Sequence, residues 1–212
     1  MIAAAGSGQR LGAGGPKAFV EVAGRRLIEW SLAALAEAAS VGEVVLVVPA
    51  GFEASVDAVA VAGGATRAES VVAGLGAVSG DVVVIQDAAR PLVTAKLIDR
   101  VVERLVDSGA DSVIAAAPVS DTLKRAGEGG AVGGTVDRAG LWAAQTPQAF
   151  RVEALRAAQL AASEAGELAT ATDEAWLIER VGGTVLLEEV GAPNLKVTSE
   201  ADLAVAAALL RG

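Results

Sequence analysis

"AAAGSGQRLGAGGPKAF", residues 3–19, follows a short apolar run and carries five glycines and two fixed cations, Arg10 and Lys17. A glycine-rich turn directly behind a first strand predicts an open parallel α/β sheet. Such a turn aims backbone N–H groups into the crevice beyond the strand's carboxyl end, where sheets of this class bind ligands. Gly6 and Gly8 lack a Cβ, so the backbone there can approach a phosphate closely. Two established phosphate motifs do not fit. The dinucleotide fingerprint G-x-G-x-x-G needs glycine where the chain has Leu11, and the P-loop pattern needs Ser or Thr after the lysine, where Ala18 follows Lys17. What remains is a glycine loop whose two cations can surround a polyphosphate.

Further along, "EVVLVV" (43–48), "DVVVIQ" (81–86) and "SVIAAA" (112–117) are β-branched apolar runs that read as strands buried on both faces. Helical patterns lie between them. Ile28, Leu32, Leu35 and Ala39 share one face, as do Val71, Leu75 and Val78; Leu97, Val101 and Leu105 form another, with Val102 and Val106 on a neighbouring stripe. This alternation predicts one domain over residues 1–212, with a doubly wound, Rossmann-like, mostly parallel sheet and right-handed crossovers.

The rhythm breaks between residues 118 and 150, where glycines cluster and no helical period survives. A bare loop of that length is unusual in a compact domain. A projecting β-arm over about 120–150 is expected instead, turning at "GEGG". Helical periodicity returns at 152–165 and 173–181, with Thr172 as the expected cap of the second and Asp173 and Glu174 in its first turn. A strand "TVLLEEV" and a last helix from about 200 follow, the latter opened by Ser199 with Asp202 three residues on.

Composition limits the chemistry. The 212 residues include no Cys, His or Tyr, so thiolate, imidazole and Ser-His-Asp mechanisms are out of reach. With 17 basic against 26 acidic residues the formal net charge is −9, which opposes binding to long nucleic acid while still allowing a small anion where cations converge. No apolar run approaches the ~20 residues of a membrane span, and "MIAAAGSGQR" lacks the basic start of a signal peptide. A cytoplasmic protein is expected.

Five segments taken together carry a resemblance: the glycine loop, "QDAARP" (86–91), "APVSDTLK" (117–124), "GTVDRAGLWAAQTPQAF" (134–150) and "APNLKVTSEADL" (192–203). In this order they resemble the 2-C-methyl-D-erythritol 4-phosphate cytidylyltransferase family of the non-mevalonate isoprenoid pathway. The resemblance implies transfer of a cytidylyl group from CTP to a polyol phosphate, with Mg²⁺, in a homodimer formed through the arm. It implies that Arg10 and Lys17 contact the triphosphate and stabilise the pentacoordinate α-phosphorus. Ala4, Ala5, Gly6 and Gly8 then hold the nucleotide, and Gly64 and Ser70 read the base end. Asp87 stands beside ribose, metal and incoming phosphate, and Lys196 lies near both phosphates. Thr135, Arg138 and Arg151 bind the polyol phosphate, the first two from the arm of a partner. Arg90 is expected to hold its loop by ion pairing. Gln86 stands where the family usually has His, which implies that the histidine is not essential. Three other readings remain: a ribitol 5-phosphate cytidylyltransferase, a non-catalytic nucleotide-binding module, and a structural α/β domain whose glycine loop is only a turn.

Overall fold

The computed structural model describes residues 1–6, 15–49, 51 and 58–211. The chain starts with β1 (Ile2–Ala3), a small hairpin of β2 (Glu21–Val22) and β3 (Arg25–Arg26), and α1 (Leu27–Glu37). Next come β4 (Val45–Val48), β5 (Val59–Ala62), α2 (Arg67–Leu75), β6 (Val82–Asp87), α3 (Ala95–Ser108) and β7 (Ser112–Pro118). The second half holds β8 (Leu123–Ala126), β9 (Val132–Val136), β10 (Trp142–Arg151), α4 (Val152–Glu164), α5 (Glu174–Arg180), β11 (Val185–Glu189) and α6 (Glu200–Arg211).

Among the described residues one seven-stranded sheet has the order β11–β7–β10–β6–β1–β4–β5. β1 pairs in parallel with β4 and β6, β4 with β5, and β7 with β11. Successive strand side chains point to opposite faces, and the core divides accordingly. Ile2, Leu46 and Val84 pack with α1 and α3, through Leu35, Ile98 and Val101. Val45, Val47, Val83 and Ile85 pack on the other face with α2, α4 and α5, through Val71, Leu155 and Ile178. Each such buried aliphatic side chain contributes roughly 1.5–3 kcal/mol of transfer free energy. The helix faces agree with the sequence reading except at two rim positions: Ala39 and Val106 are exposed.

The main departure is β10. The region expected to be arm supplies a ten-residue strand that lies antiparallel between β6 and β7 in the middle of the sheet. A proline is unusual in a central strand because it cannot donate to the ladder. Here Pro147 falls in the irregularity between Ala144 and Gln148, where the register with β7 shifts and no ladder donor is demanded of it. Residues 123–136 form a separate antiparallel hairpin of β8 and β9, turning through Glu128–Gly130.

This topology sets the site. β1, β4 and β6 end at the same edge, and register places Ala3 opposite both Val47 and Asp87. Ala4 to Gly6 after β1 and Ala88 and Ala89 after β6 meet there.

Candidate active site

The segments beyond that edge enclose a cavity of about 670 Å³, within the range of small-ligand sites. Its floor is the backbone after β1, Ala4 to Gly6, with Lys17 beside it. Lys17 opens a short 3-10 turn, and its backbone N–H donates to the Gly6 carbonyl at 3.3 Å, which ties the far end of the glycine loop to its start.

One wall is the turn leading into α2. A Cβ on Gly63 would come within 2.6 Å of Ala5 Cβ and 2.8 Å of Ser70 Oγ, and one on Gly64 would strike Glu69. Only glycine lets this turn lie against the β1 loop. Ser70 Oγ accepts from Gly64 N at 3.1 Å and donates to the Thr66 carbonyl at 2.8 Å, locking the turn to the helix. Thr66 and Glu69 form a reciprocal capping box, and Glu69 Oε2 also accepts from Ala65 N at 2.8 Å.

The opposite side is centred on Asp87, the last residue of β6. Lys196 Nζ stands 2.6 Å from its Oδ2, while Arg90 Nε and Arg67 Nη2 lie 3.9 Å from Oδ2 and Oδ1. Burial alone would raise the Asp87 carboxyl. The Lys196 charge and hydrogen bond, with Arg67 and Arg90, outweigh it and hold the group below the ordinary carboxylate range. Lys196 is presented by a braced loop: Arg90 Nη1 donates to the Asn194 carbonyl at 2.7 Å, and Val197 N donates to the Ala89 carbonyl at 2.8 Å. Asn194 Nδ2 donates to the Thr146 carbonyl at 2.8 Å and to Gln145 Oε1 at 3.0 Å, fastening that loop to β10. Gln86 lies fully buried, and its amide donates to the Asp87 carbonyl at 3.1 Å.

Of the residues anticipated from sequence, Ala4, Ala5, Gly6, Lys17, Gly64, Ser70, Asp87 and Lys196 all line this one cavity. Gly8 and Arg10 lie outside the described residues. Thr135 and Arg138 do not line it. Thr135 sits on β9, where its Oγ1 accepts from Lys124 Nζ at 2.6 Å, and Arg138 is exposed just beyond. Arg151 is a correction. It pairs with Val82 at the start of β6, about five residues and ~17 Å of strand from Asp87. There its guanidinium donates to the Ala110 and Leu105 carbonyls at 3.0 and 3.4 Å, satisfying the end of α3 and not this chain's cavity. The cap of α5 is also corrected: Asp173, not Thr172, accepts from Trp176 N, at 2.9 Å.

Nothing in the sequence marks Arg67 and Glu174 as site residues. Arg67, the first residue of α2, lines the cavity, and its Nη1 donates to both oxygens of buried Glu174 at 2.7 Å. Burial pushes the Glu174 carboxyl up, and the Arg67 charge pulls against that shift. For Arg67, burial opposes the charge, but Glu174 and Asp87 prevail and the guanidinium is held more firmly protonated.

The lining of the cavity therefore carries Lys17, Arg67 and Lys196 with one carboxylate, Asp87, in a chain of net charge −9. Such a lining suits a polyanion. Among the described residues no group of three or more Asp, Glu, His or Cys could hold an ion by itself. A single carboxylate does fit Mg²⁺, which characteristically takes one or two carboxylates and completes its shell with water and substrate phosphates.

Comparison with known proteins bears on which polyanion. The family model described as 2-C-methyl-D-erythritol 4-phosphate cytidylyltransferase matches residues 1–212. A Deinococcus radiodurans protein of that name is 50% identical over 211 residues, covering 99% of this chain and 88% of its own. One from Prochlorococcus marinus is 43% identical over 221 residues, covering 99% and 96%. The crystal structure of a Thermus thermophilus enzyme of that name superposes with a TM-score of 0.86 at 40% identity, covering 100% of this chain and 97% of the other.

Proposed function

The chain belongs to the 2-C-methyl-D-erythritol 4-phosphate cytidylyltransferase family, and from that premise we propose that it joins CTP to 2-C-methyl-D-erythritol 4-phosphate, giving 4-diphosphocytidyl-2-C-methyl-D-erythritol and pyrophosphate in the non-mevalonate pathway. The observation that carries the reading is the convergence of Lys17, Asp87 and Lys196 on one cavity above the β1 turn. The ribitol 5-phosphate reading is not favoured, since the relatives are named for the methylerythritol substrate.

In the proposed mechanism, Ala4 to Gly6 and the Gly64–Ser70 turn hold the nucleoside end, while Arg10 and Lys17 contact the triphosphate. A 4-phosphate oxygen attacks the α-phosphorus in line. The new P–O bond forms as the bond to the β-phosphate oxygen breaks, and pyrophosphate leaves with that electron pair. A phosphate monoester has a second pKa near 6, so the nucleophile is anionic at neutral pH and needs no general base. Lys196, held by Asp87 at 2.6 Å, would orient the incoming phosphate. Charge developing on the equatorial oxygens is met by fixed cations. Asp87 and the phosphate oxygens would hold Mg²⁺, which would neutralise triphosphate charge.

The test is pyrophosphate release with each of four nucleoside triphosphates against methylerythritol 4-phosphate and ribitol 5-phosphate. CTP with methylerythritol 4-phosphate should exceed every other pairing by about 100-fold or more, and chelating Mg²⁺ should abolish it. Equal use of both polyol phosphates would overturn the substrate, and CTP binding without pyrophosphate release would leave only a nucleotide-binding module.

The quaternary proposal is a homodimer in which Thr135 and Arg138 reach a partner's cavity. Its support is that Thr135 on the β8–β9 hairpin and Arg138 just beyond it are exposed outside their own cavity, with Val132 of the same hairpin 66% exposed. Sedimentation at assay concentration should give twice the 21.0 kDa chain mass; a monomer with full activity refutes the arrangement. No described helix is long and apolar enough to cross a membrane. Both substrates are multiply charged metabolites that do not diffuse through bilayers, and we place the enzyme with them in the cytoplasm.

A further inference from the structure

Arg67 and Glu174 are separated by 107 positions, each in the first turn of its own helix, and nothing in local sequence links them. Glu174 is 1% exposed. A carboxylate that deep persists only when paired, and the side chain that pairs with it among the described residues is Arg67, whose Nη1 is held at 2.7 Å from both oxygens. The other end of the guanidinium is treated differently. Nη2 is 3.9 Å from Asp87 Oδ1, beyond direct hydrogen-bond reach, and the side chain keeps 35% of its exposure in the cavity wall. One end is anchored and the other presented.

The side from which Arg67 arrives identifies its ligand. Its turn packs on the β1 loop, with Gly63 against Ala5, and it approaches Asp87 from Oδ1. Lys196 takes the opposite oxygen, Oδ2. Arg67 thus shares its wall with the backbone of Ala4 to Gly6, on the nucleotide's side of the carboxylate. We propose that Glu174 is a positioning residue for nucleotide binding: it fixes Arg67 Nη1 so that the Nη2 edge donates to an acceptor oxygen of bound CTP. A guanidinium carries donors only, so its ligand atom is an oxygen or an unprotonated ring nitrogen. Charge-assisted contacts of this kind are the strong ones, and a rigid fork loses little freedom in making them.

This inference rests on the cytidylyltransferase reading and deepens it. The alternative is a tie between α2 and α5 that never senses the ligand. Calorimetric CTP affinity, measured without polyol phosphate, is the primary readout, with KM and kcat alongside. Glu174→Gln keeps the shape and removes the charge; Arg67→Lys keeps a charge against Glu174 and removes the fork. Each should weaken CTP binding by about tenfold or more, with KM for methylerythritol 4-phosphate within about twofold of wild type. Glu174→Asp should recover part of the loss, and the double variant should be no worse than the poorer single, because both act through one contact. If Glu174→Gln does not fold, Arg67→Lys carries the test. A folded variant of either kind that binds CTP within about twofold of wild type overturns the proposal, whatever its melting temperature. Should wild type bind CTP yet release no pyrophosphate, the enzymatic reading falls, and the affinity comparison still decides this one.

Discussion

Lys17→Ala is expected to lower kcat/KM for cytidylyl transfer by more than about 100-fold, the cost of one preorganised charge contact to a reacting phosphorus. The reason is positional. The backbone of Lys17 is tied to Gly6, and the residue lines the same cavity as Asp87. A cation there needs no reorganisation as charge develops in the transition state. Because Lys17 is only half-buried and opens a three-residue turn, the melting temperature of the variant should stay within about 2 °C of wild type. Steady-state pyrophosphate release together with thermal unfolding checks both halves. Turnover within about threefold of wild type would remove Lys17 from the mechanism.

Asp87→Asn carries the second large effect, and it reaches stability as well as catalysis. Asp87 is the shared counter-charge of Lys196, Arg90 and Arg67, and its side chain is only 11% exposed. Removing the charge leaves buried Arg90 with no other anion beside it among the described residues and releases Lys196 from its 2.6 Å contact. Loss of one partner from a buried pair costs about 3 kcal/mol, readable as a shift in the urea midpoint, and kcat/KM should fall by about 100-fold or more as Lys196 loses its place. The pH dependence has a definite sign. The Asp87 carboxyl is depressed in the folded protein, so its contribution is present above the unfolded value of about 3.9 and is lost as pH falls through the lower folded value. The stability gap between wild type and Asp87→Asn should be constant from about pH 6 to 8 and should close below about pH 4. A gap that persists undiminished at about pH 3 would show that the charge is not its source.

Much of the fold is legible in the sequence because local periodicity reports burial. "EVVLVV" and "DVVVIQ" read as strands covered on both faces, and β4 and β6 occupy them. The Leu97–Val101–Leu105 stripe marks α3, which Thr94 caps and left-handed Gly109 ends. β10 was not legible. "WAAQTPQAFR" mixes a proline, glutamines and alanines with no alternation, since both faces are covered over its second half and the register is interrupted in the middle. Only pairing with β6 and β7 makes it a strand. The site divides in the same way. Gly64 and Ser70 belong to one short segment, and Lys17 and Asp87 each follow a predicted strand. Arg67 and Glu174 meet across 107 positions and carry no spacing that would announce it. Arg151, close behind Pro147 in sequence, ends up at the far edge of the sheet because β10 runs antiparallel.

The sequence by itself determined the class of sheet, the place of the glycine turn at its edge, and a chemistry limited to Lys, Arg, Asp, Glu and backbone amides by the lack of Cys, His and Tyr. Tertiary structure alone decided which charges meet. Ion pairing acts through space and leaves no period along the chain, so the partners of Asp87, and the buried carboxylate behind Arg67, emerge only once the strands have taken their order.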